Sequence, residues 1–276
     1  MRKTIGILLI ITQFSCSKPK QDGLILKVQF QPEKIYCIST IRGSETVITY
    51  SGQDIAMRKL KSMRVKNPTI SNVKTKSDTE LITEKKSADS SIPVSLIYKR
   101  TMSLNGKNEI PEGTVVTGEI KAGHLPGFKS VASEKFDFDQ KKQLLQTARS
   151  TFEHLDFPEQ QLKIGDQFST DHPGSIPMEG SVIETVVTTT YKLLGIKNSM
   201  AQFELSQSYR MTPKMNDNSF SGKGFGKGKL IFDIENGLIT EYSMKTELVM
   251  NKKLDYFEFD LRTVNEFSQT TKIAKQ

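Results

Sequence analysis

The chain of 276 residues has no tryptophan, two cysteines and three histidines. With only Cys16 and Cys37, a disulfide framework has little to draw on. His124, His154 and His172 have no partner at the helical or hairpin spacing that metal ligation needs, so no metal site is expected. Gly-x-Ser-x-Gly elbows and catalytic-cysteine contexts are absent as well. The chain is therefore read as a non-enzyme without catalytic residues or cofactors. Long apolar runs are also lacking. The stretch from Ile5 to Phe14 is about half of what a bilayer-crossing helix requires.

That short run has a meaning of its own. Met1-Arg2-Lys3 is basic, Ile5 to Phe14 is almost wholly apolar, and Ser15 is a small residue before Cys16. This is the layout of a secretory signal, removed from the mature protein. A cysteine at the expected cut looks like a lipobox, the motif that bacterial lipoprotein processing acylates, although Gln13 and Phe14 depart from its usual residues. Residues 1–15 are accordingly assigned to a lipoprotein signal peptide, Cys16 to the lipidated first residue, and 16–23 to the tether. The alternative is cleavage by ordinary signal peptidase, which leaves Cys16 and Cys37 free to pair. If lipid consumes Cys16, then Cys37, between Tyr36 and Ile38, is expected to behave as a small buried apolar residue. A membrane-anchored protein of the bacterial cell envelope follows. The lack of an acidic run after Cys16 favours one that faces the periplasm.

Composition sets further bounds. Removing the signal leaves about 260 residues, enough for one large β domain or two small ones, and we assign residues 24–276 to a single β-rich domain. The formal charge of +8 falls to +6 without Arg2 and Lys3. The clusters Arg58-Lys59-Lys61-Arg64-Lys66 and Lys252-Lys253 are interrupted by apolar residues. They describe a solvated surface, or a patch facing anionic lipid headgroups or polysaccharide. Export separates the chain from nucleic acid.

Along the chain, period-two alternation dominates. It marks strands at Leu24–Phe30, Ile35–Ile41, Glu45–Tyr50 after an Arg42-Gly43-Ser44 turn, Val94–Met102, Val115–Ile120 and Gly127–Val131. Asn105-Gly106 is a turn signal. Residues 67–91 read as hairpin and loop around one strand at Thr79–Thr83. Ile55–Val65 suits a strand through Ile55 and Met57, or a helix face through Ile55, Lys59, Leu60 and Met63. Its neighbours favour a strand. One amphipathic helix, about 139–156 with Asp139 as its cap, carries Leu144, Leu145, Ala148, Phe152 and Leu155 on one face. Such a stripe packs on a sheet, or serves a partner or a membrane surface. Glu134, Asp137 and Asp139 complement its N-terminus, although paired carboxylates can also perform acid–base chemistry. Beyond it, long strands cover Val182–Leu194, Ala201–Met211, Leu230–Ile234, Ile239–Met250 and Phe257–Thr263. The fold class is mainly β, with one large curved antiparallel sheet and one helix packed on it. Gly222-Lys223-Gly224-Phe225-Gly226-Lys227-Gly228 offers backbone N–H groups to a phosphate. It lacks the strand-to-helix context of a nucleotide loop, so we read it as a strand whose glycines allow close backbone approach.

Several of these features together resemble a known family. They are the lipobox, the Phe30-to-Tyr36 strand pair, Pro158-Glu159 leading to Leu162-Lys163-Ile164-Gly165-Asp166 and Phe168, and the run from Gly226 to Leu238. The chain looks like a family of uncharacterised bacterial envelope lipoproteins carrying a domain of unknown function. The sheet of that family is similar in general shape to the half-barrels of lipoprotein carriers. The resemblance covers residues 24 to 267 through short, degenerate motifs. It implies a half-barrel-like sheet and implies no activity.

Two functional classes follow. In the first, the protein is a non-enzymatic binding or structural module for an apolar ligand or an envelope protein partner. Phe203, Leu205, Phe232, Ile234, Met244, Leu248, Phe257 and Phe259 are then the ligand-facing candidates. In the second, it is a cell-wall or polysaccharide-associated enzyme or adhesin, for which carboxylates converging in a cleft would speak. The anchor is testable directly. Full-length protein from a bacterial host gains diacylglycerol and acyl mass and partitions into detergent, whereas Cys16→Ala does neither. Cleavage without added mass removes the lipoprotein assignment.

Overall fold

The computed structural model describes residues 23–103, 110–153, 161–178, 181–213 and 220–274. The chain order is β1 (Leu24–Ile25), β2 (Ile35–Gly52), α1 (Asp54–Ser62), β3 (Thr69–Thr83), β4 (Ile92–Ser103), β5 (Val115–Ile120), β6 (Gly127–Ala132) and α2 (Phe138–Ser150). It continues with β7 (Gln161–Leu162), β8 (Gln167–Met178), β9 (Ser181–Lys197), β10 (Met200–Pro213), β11 (Phe220–Asp233), β12 (Leu238–Lys253) and β13 (Phe257–Ile273). Among the described residues, β1 and β7 pair with each other. The other strands form one antiparallel sheet of 11 strands in the order β6-β5-β4-β3-β2-β13-β12-β11-β10-β9-β8. Its edges, β6 and β8, do not pair, so the sheet is open. It is nevertheless strongly curled. Val73 and Thr75 of β3 and His172 of β8 line one cavity of about 720 Å³, although a flat sheet would hold strands seven steps apart about 34 Å from one another. The mainly β, half-barrel-like architecture is the one expected from the alternation.

The core fills only one half of this trough. On β2 the inward residues Tyr36, Ile38 and Thr40 are buried, whereas beyond Arg42 no residue of the strand is buried. At the buried end, Phe30 meets Tyr36 edge-on at 5.1 Å and Phe152 at 5.9 Å, and Phe152 lies 5.7 Å from Phe128. These rings tie the N-terminal segment, β2, β6 and the end of α2 together. Helix α2 buries Leu144 and Ala148. Its cap is Asp137 rather than Asp139: the Asp137 carboxylate accepts from Gln140 N (2.9 Å) and Gln140 Oε1 accepts from Asp137 N (3.0 Å). This reciprocal capping box satisfies two helix-end donors, and Asp139 falls inside the first turn.

Several sequence expectations are corrected. Arg42-Gly43-Ser44 makes no turn; β2 runs straight through it, pairing Arg42 with Phe267 and Ser44 with Asn265. Residues 69–83 are one strand paired with β2, not a loop; its far half reads as loop because it has no core to face and carries Lys, Ser and Thr on both sides. Leu24, Leu26 and Phe30 are buried as the alternation implied, yet only Leu24–Ile25 is a strand, and the remainder plugs the core as extended chain. Cys37 is exposed. Its neighbours Tyr36 and Ile38 point inward, so the pleat turns the thiol to solvent. The Asn105-Gly106 turn, His154, Leu155 and Cys16 lie outside the described residues.

The glycine-rich run sits in β11, in the middle of the sheet. Gly222, Gly224, Gly226 and Gly228 face inward beside Met250, Leu248, Thr246 and Met244 of β12. A Cβ at Gly224 would meet Leu248 Cδ2 and, at 2.8 Å, the Tyr209 ring; one at Gly222 would sit 2.6 Å from Met211 Sδ. Large side chains of the flanking strands therefore lie over the glycine stripe. The alternating lysines point to the outer face, which is laced by exposed pairs such as Lys229–Glu241 (3.1 Å), Lys245–Glu266 (2.7 Å) and Arg262–Glu247 (2.7 Å). We expect Gly224→Val to cost about 1–3 kcal/mol through overpacking, while Lys223→Ala stays within about 0.5 kcal/mol. Denaturant midpoints of the two variants test the contrast.

Candidate functional site

The coreless end of the sheet carries the second helix, where a strand was expected. Gly52 makes the junction. Its φ of 145° lies where side chains are strained, and a Cβ there would meet Phe257 Cα and Tyr256 O, each at 2.6 Å. Gln53 N then donates to the Tyr256 carbonyl (3.0 Å). The return is fastened by Asn67, whose Oδ1 accepts from Tyr50 N (3.0 Å) and whose Nδ2 donates to Tyr50 O (2.7 Å). One side chain thus extends the ladder of β2 by a rung after β3 has ended. Between these ties, Asp54 in the first turn and Lys59 and Lys61 in the last suit the helix dipole. α1 is amphipathic yet buries no residue.

The space between α1 and the sheet is an apolar groove of about 990 Å³. Ile48 and Tyr50 of β2 and Phe257, Phe259 and Leu261 of β13 form its floor, and Ile55, Leu60 and Met63 form the wall. The inward rows continue across the ladder, Ile48 opposite Leu261 and Tyr50 opposite Phe259. Unlike a packed core, this surface stays open: Ile55 is 73% exposed, Met63 65% and Tyr256 at the rim 65%. The charged residues lining it are Lys59 and Lys252.

The eight ligand-facing candidates divide. Phe257 and Phe259 lie in the groove floor. Leu248 is half-buried on the same inward face, opposite Thr263 and Gly224. Phe203, Leu205, Phe232 and Met244 are sealed in the core at the other end. Ile234 follows β11, where its N–H donates to Ser199 O (2.9 Å). The walls Ile55, Leu60 and Met63 were missed as ligand-facing, although their helical spacing was visible in the sequence. Ile48 and Tyr50 carried no separate signal, because only the register with β13 brings them beside Phe257–Leu261.

Between groove and core, the inward face is a polar basin. Arg42 stands 5.4 Å above the Phe267 ring and donates through Nη2 to Ser150 Oγ (3.3 Å). Burial pushes its guanidinium below the ordinary value, against the opposing fields of Tyr98 and Glu153. Tyr98 is 3% exposed, and its hydroxyl has no hydrogen-bond partner among the described residues. Burial pushes Tyr98 and Tyr191 each up to about 12, and raises Tyr242 as well. Among the described residues, no group of three or more His, Cys, Asp or Glu is placed to hold a metal. His172 contacts Thr170 Oγ1 at 3.2 Å on the edge strand.

No family model matches the chain, and no curated protein matches it significantly. Among solved structures, one similar chain is that described as "Crystal Structure of Pseudomonas Aeruginosa OpdL". It has 6% identity and a TM-score of 0.26 over 87% of this chain and 99% of that one. At that score the overlap transfers neither fold nor function.

The buried tyrosines set an alkaline limit. Unfolded tyrosine loses its proton near pH 10, whereas folded Tyr98 and Tyr191 hold theirs to about 12. Above pH 10 the unfolded state binds fewer protons, so stability is complete below that point and falls as pH rises toward 12. Tyr98→Phe removes a hydroxyl without a partner, so its melting temperature at pH 7 should match or exceed that of the wild type. Its loss of stability between pH 10 and 12 should be shallower, which thermal melts across that range will read.

Proposed function

We propose that the chain is a membrane-anchored envelope lipoprotein that acts as a non-enzymatic binding module, taking an apolar ligand in the groove beneath α1. The observation that carries this reading is the groove itself. Aromatic and aliphatic side chains from β2, β13 and α1 converge on one open volume of a size usual for small-molecule sites, about 300–1,000 Å³. A globular chain ordinarily closes such residues into its core. Here the turns at Gly52 and Asn67 fasten the two ends of the helical segment to the sheet, and α1 between them buries no residue. Anchoring through acylated Cys16 in the envelope, facing the periplasm, is supported by the signal and lipobox of residues 1–16, and the charged outer face suits an aqueous compartment. The described residues lining the groove include no carboxylate. Glu45, Glu247 and Glu266 do gather on the outer face, but Glu247 and Glu266 are paired with Arg262 and Lys245, so the cell-wall enzyme or adhesin reading has the weaker support.

A neutral fluorescent probe such as N-phenyl-1-naphthylamine should bind one site on the mature protein and brighten. Leu261→Arg should weaken that binding at least about tenfold, equivalent to about 1.4 kcal/mol. Phe225→Ala, on the exposed outer face, should leave it unchanged. Probe binding that is indifferent to Leu261→Arg would remove the groove from consideration.

A further inference from the structure

Beneath α2 the inner face of the sheet is built from hydroxyls. Thr40 of β2 lies opposite Ser77 of β3, and Ser77 opposite Thr101 of β4. In the adjoining row Thr79 and Tyr98 are direct partners. A bulge makes this arrangement. Asp78 pairs with Arg100 and Thr79 with Tyr98, so Lys99 is the extra residue, and its ammonium meets Glu80 on the outer side (3.0 Å). Tyr98 and Thr101 thereby share the inward face, although a regular pleat would send them to opposite ones. Thr40, Thr79, Tyr98 and Thr101 are all buried, at positions that ordinarily carry aliphatic side chains.

These hydroxyls floor a cavity of about 530 Å³ whose other wall is α2. Phe136, just before the helix, and Leu144 give that wall an apolar surface, and the exposed Gln140 and Gln143 bring amides to its mouth. The one charged residue among those lining it is Arg42, which is already engaged by Ser150 and the Phe267 ring. The Tyr98 hydroxyl is the group left over. It is buried, it borders this cavity, and it has no partner among the described residues, whereas buried polar groups are ordinarily hydrogen-bonded.

Independently of the groove, we propose that this cavity is a second binding site, for an uncharged polyhydroxylated ligand of the sugar class. Hydroxyls and amides both donate and accept, as the hydroxyls of a sugar do. Tyr98 donates to one of them, the Thr40–Ser77–Thr101 row and the glutamines meet others, and Phe136 and Leu144 cover the apolar face of the ring. An apolar ligand would strand the hydroxyl row. A single bridging water needs only about 10–15 Å³, far less than the cavity offers.

The test is saturation-transfer NMR on the mature protein in phosphatidylcholine nanodiscs. The probes are the methyl glycosides of glucose, galactose, mannose and N-acetylglucosamine at millimolar concentration, with cyclohexanol as the ring without a polyol. At least one glycoside should bind while cyclohexanol does not. Tyr98→Phe keeps the ring and the fold at neutral pH, and should weaken that binding about tenfold, while Gln143→Ala, on the exposed side of α2, should weaken it about threefold. Both variants should bind N-phenyl-1-naphthylamine in the groove as the wild type does. Leu261→Arg should leave the glycoside untouched. Binding of none of the glycosides would overturn the proposal and leave the Tyr98 hydroxyl to solvent. Glycoside binding indifferent to Tyr98→Phe would overturn it as well, and so would binding lost with Leu261→Arg, which would move the sugar to the groove.

Discussion

The antiparallel ladder of β2, β13 and β12 runs far beyond the core that one of its ends encloses. β2 has 18 residues, β13 has 17 and β12 has 16, against a usual strand of about 5–6. Backbone pairing of β2 with β13 runs from Tyr36 to Gly52, although β3 leaves β2 after Ile48. Side-chain burial continues less evenly: on β2 it stops at Thr40, while on β12 it reaches Met250 and Lys252. That mismatch gives the molecule a packed half, a polar basin around Arg42, and a far end where, among the described residues, a short helix stands over the inward face.

The ladder also explains why the glycines lie where they do. A curled sheet crowds its inner face, and β11 relieves the crowding by presenting hydrogen atoms where Tyr209, Met211, Leu248 and Met244 need room. The outer face of the same strand carries lysines among charged neighbours. One heptapeptide thus serves two surfaces through the pleat alone. The charge of the chain is divided in the same way. Much of it solvates the outside of the sheet, where exposed pairs add little stability, and a smaller share gathers at the far end beside apolar side chains.

That end stays open between two ties of the helical segment to the sheet. Gly52 reverses the chain against Phe257, and Asn67 takes over the backbone groups of Tyr50 that β3 no longer reaches. Between those two points α1 stands over Phe257, Phe259 and Leu261 and buries no residue of its own. The polar basin next to it differs. Tyr98, Tyr191 and Tyr242 are held neutral by burial, and Arg42 is supported by the Phe267 ring and Ser150.

By itself the sequence determined the fold class, most strand positions after Gly127, the Leu144–Ala148 stripe of α2 with Phe152 just beyond it, and the in-strand character of the glycine run. Each of these depends on periodicity of two or 3.6, which is a local property of the chain. It also placed Phe257, Phe259 and Leu261 on one face of the last strand. Tertiary structure decided the rest. Residues 69–78 became strand because β2 pairs along all of them and β4 joins from Thr75, although their polar composition argues for a loop. α1 became a helix although its neighbours are strands, since Gly52 and Asn67 close the ladder on either side of it. Phe203, Leu205, Phe232 and Met244 went to the core while Phe257 and Phe259 stayed open. Alternation tells which side of a strand a residue is on, but only the register across the sheet tells how far along the trough it lies, and that distance separates core from groove.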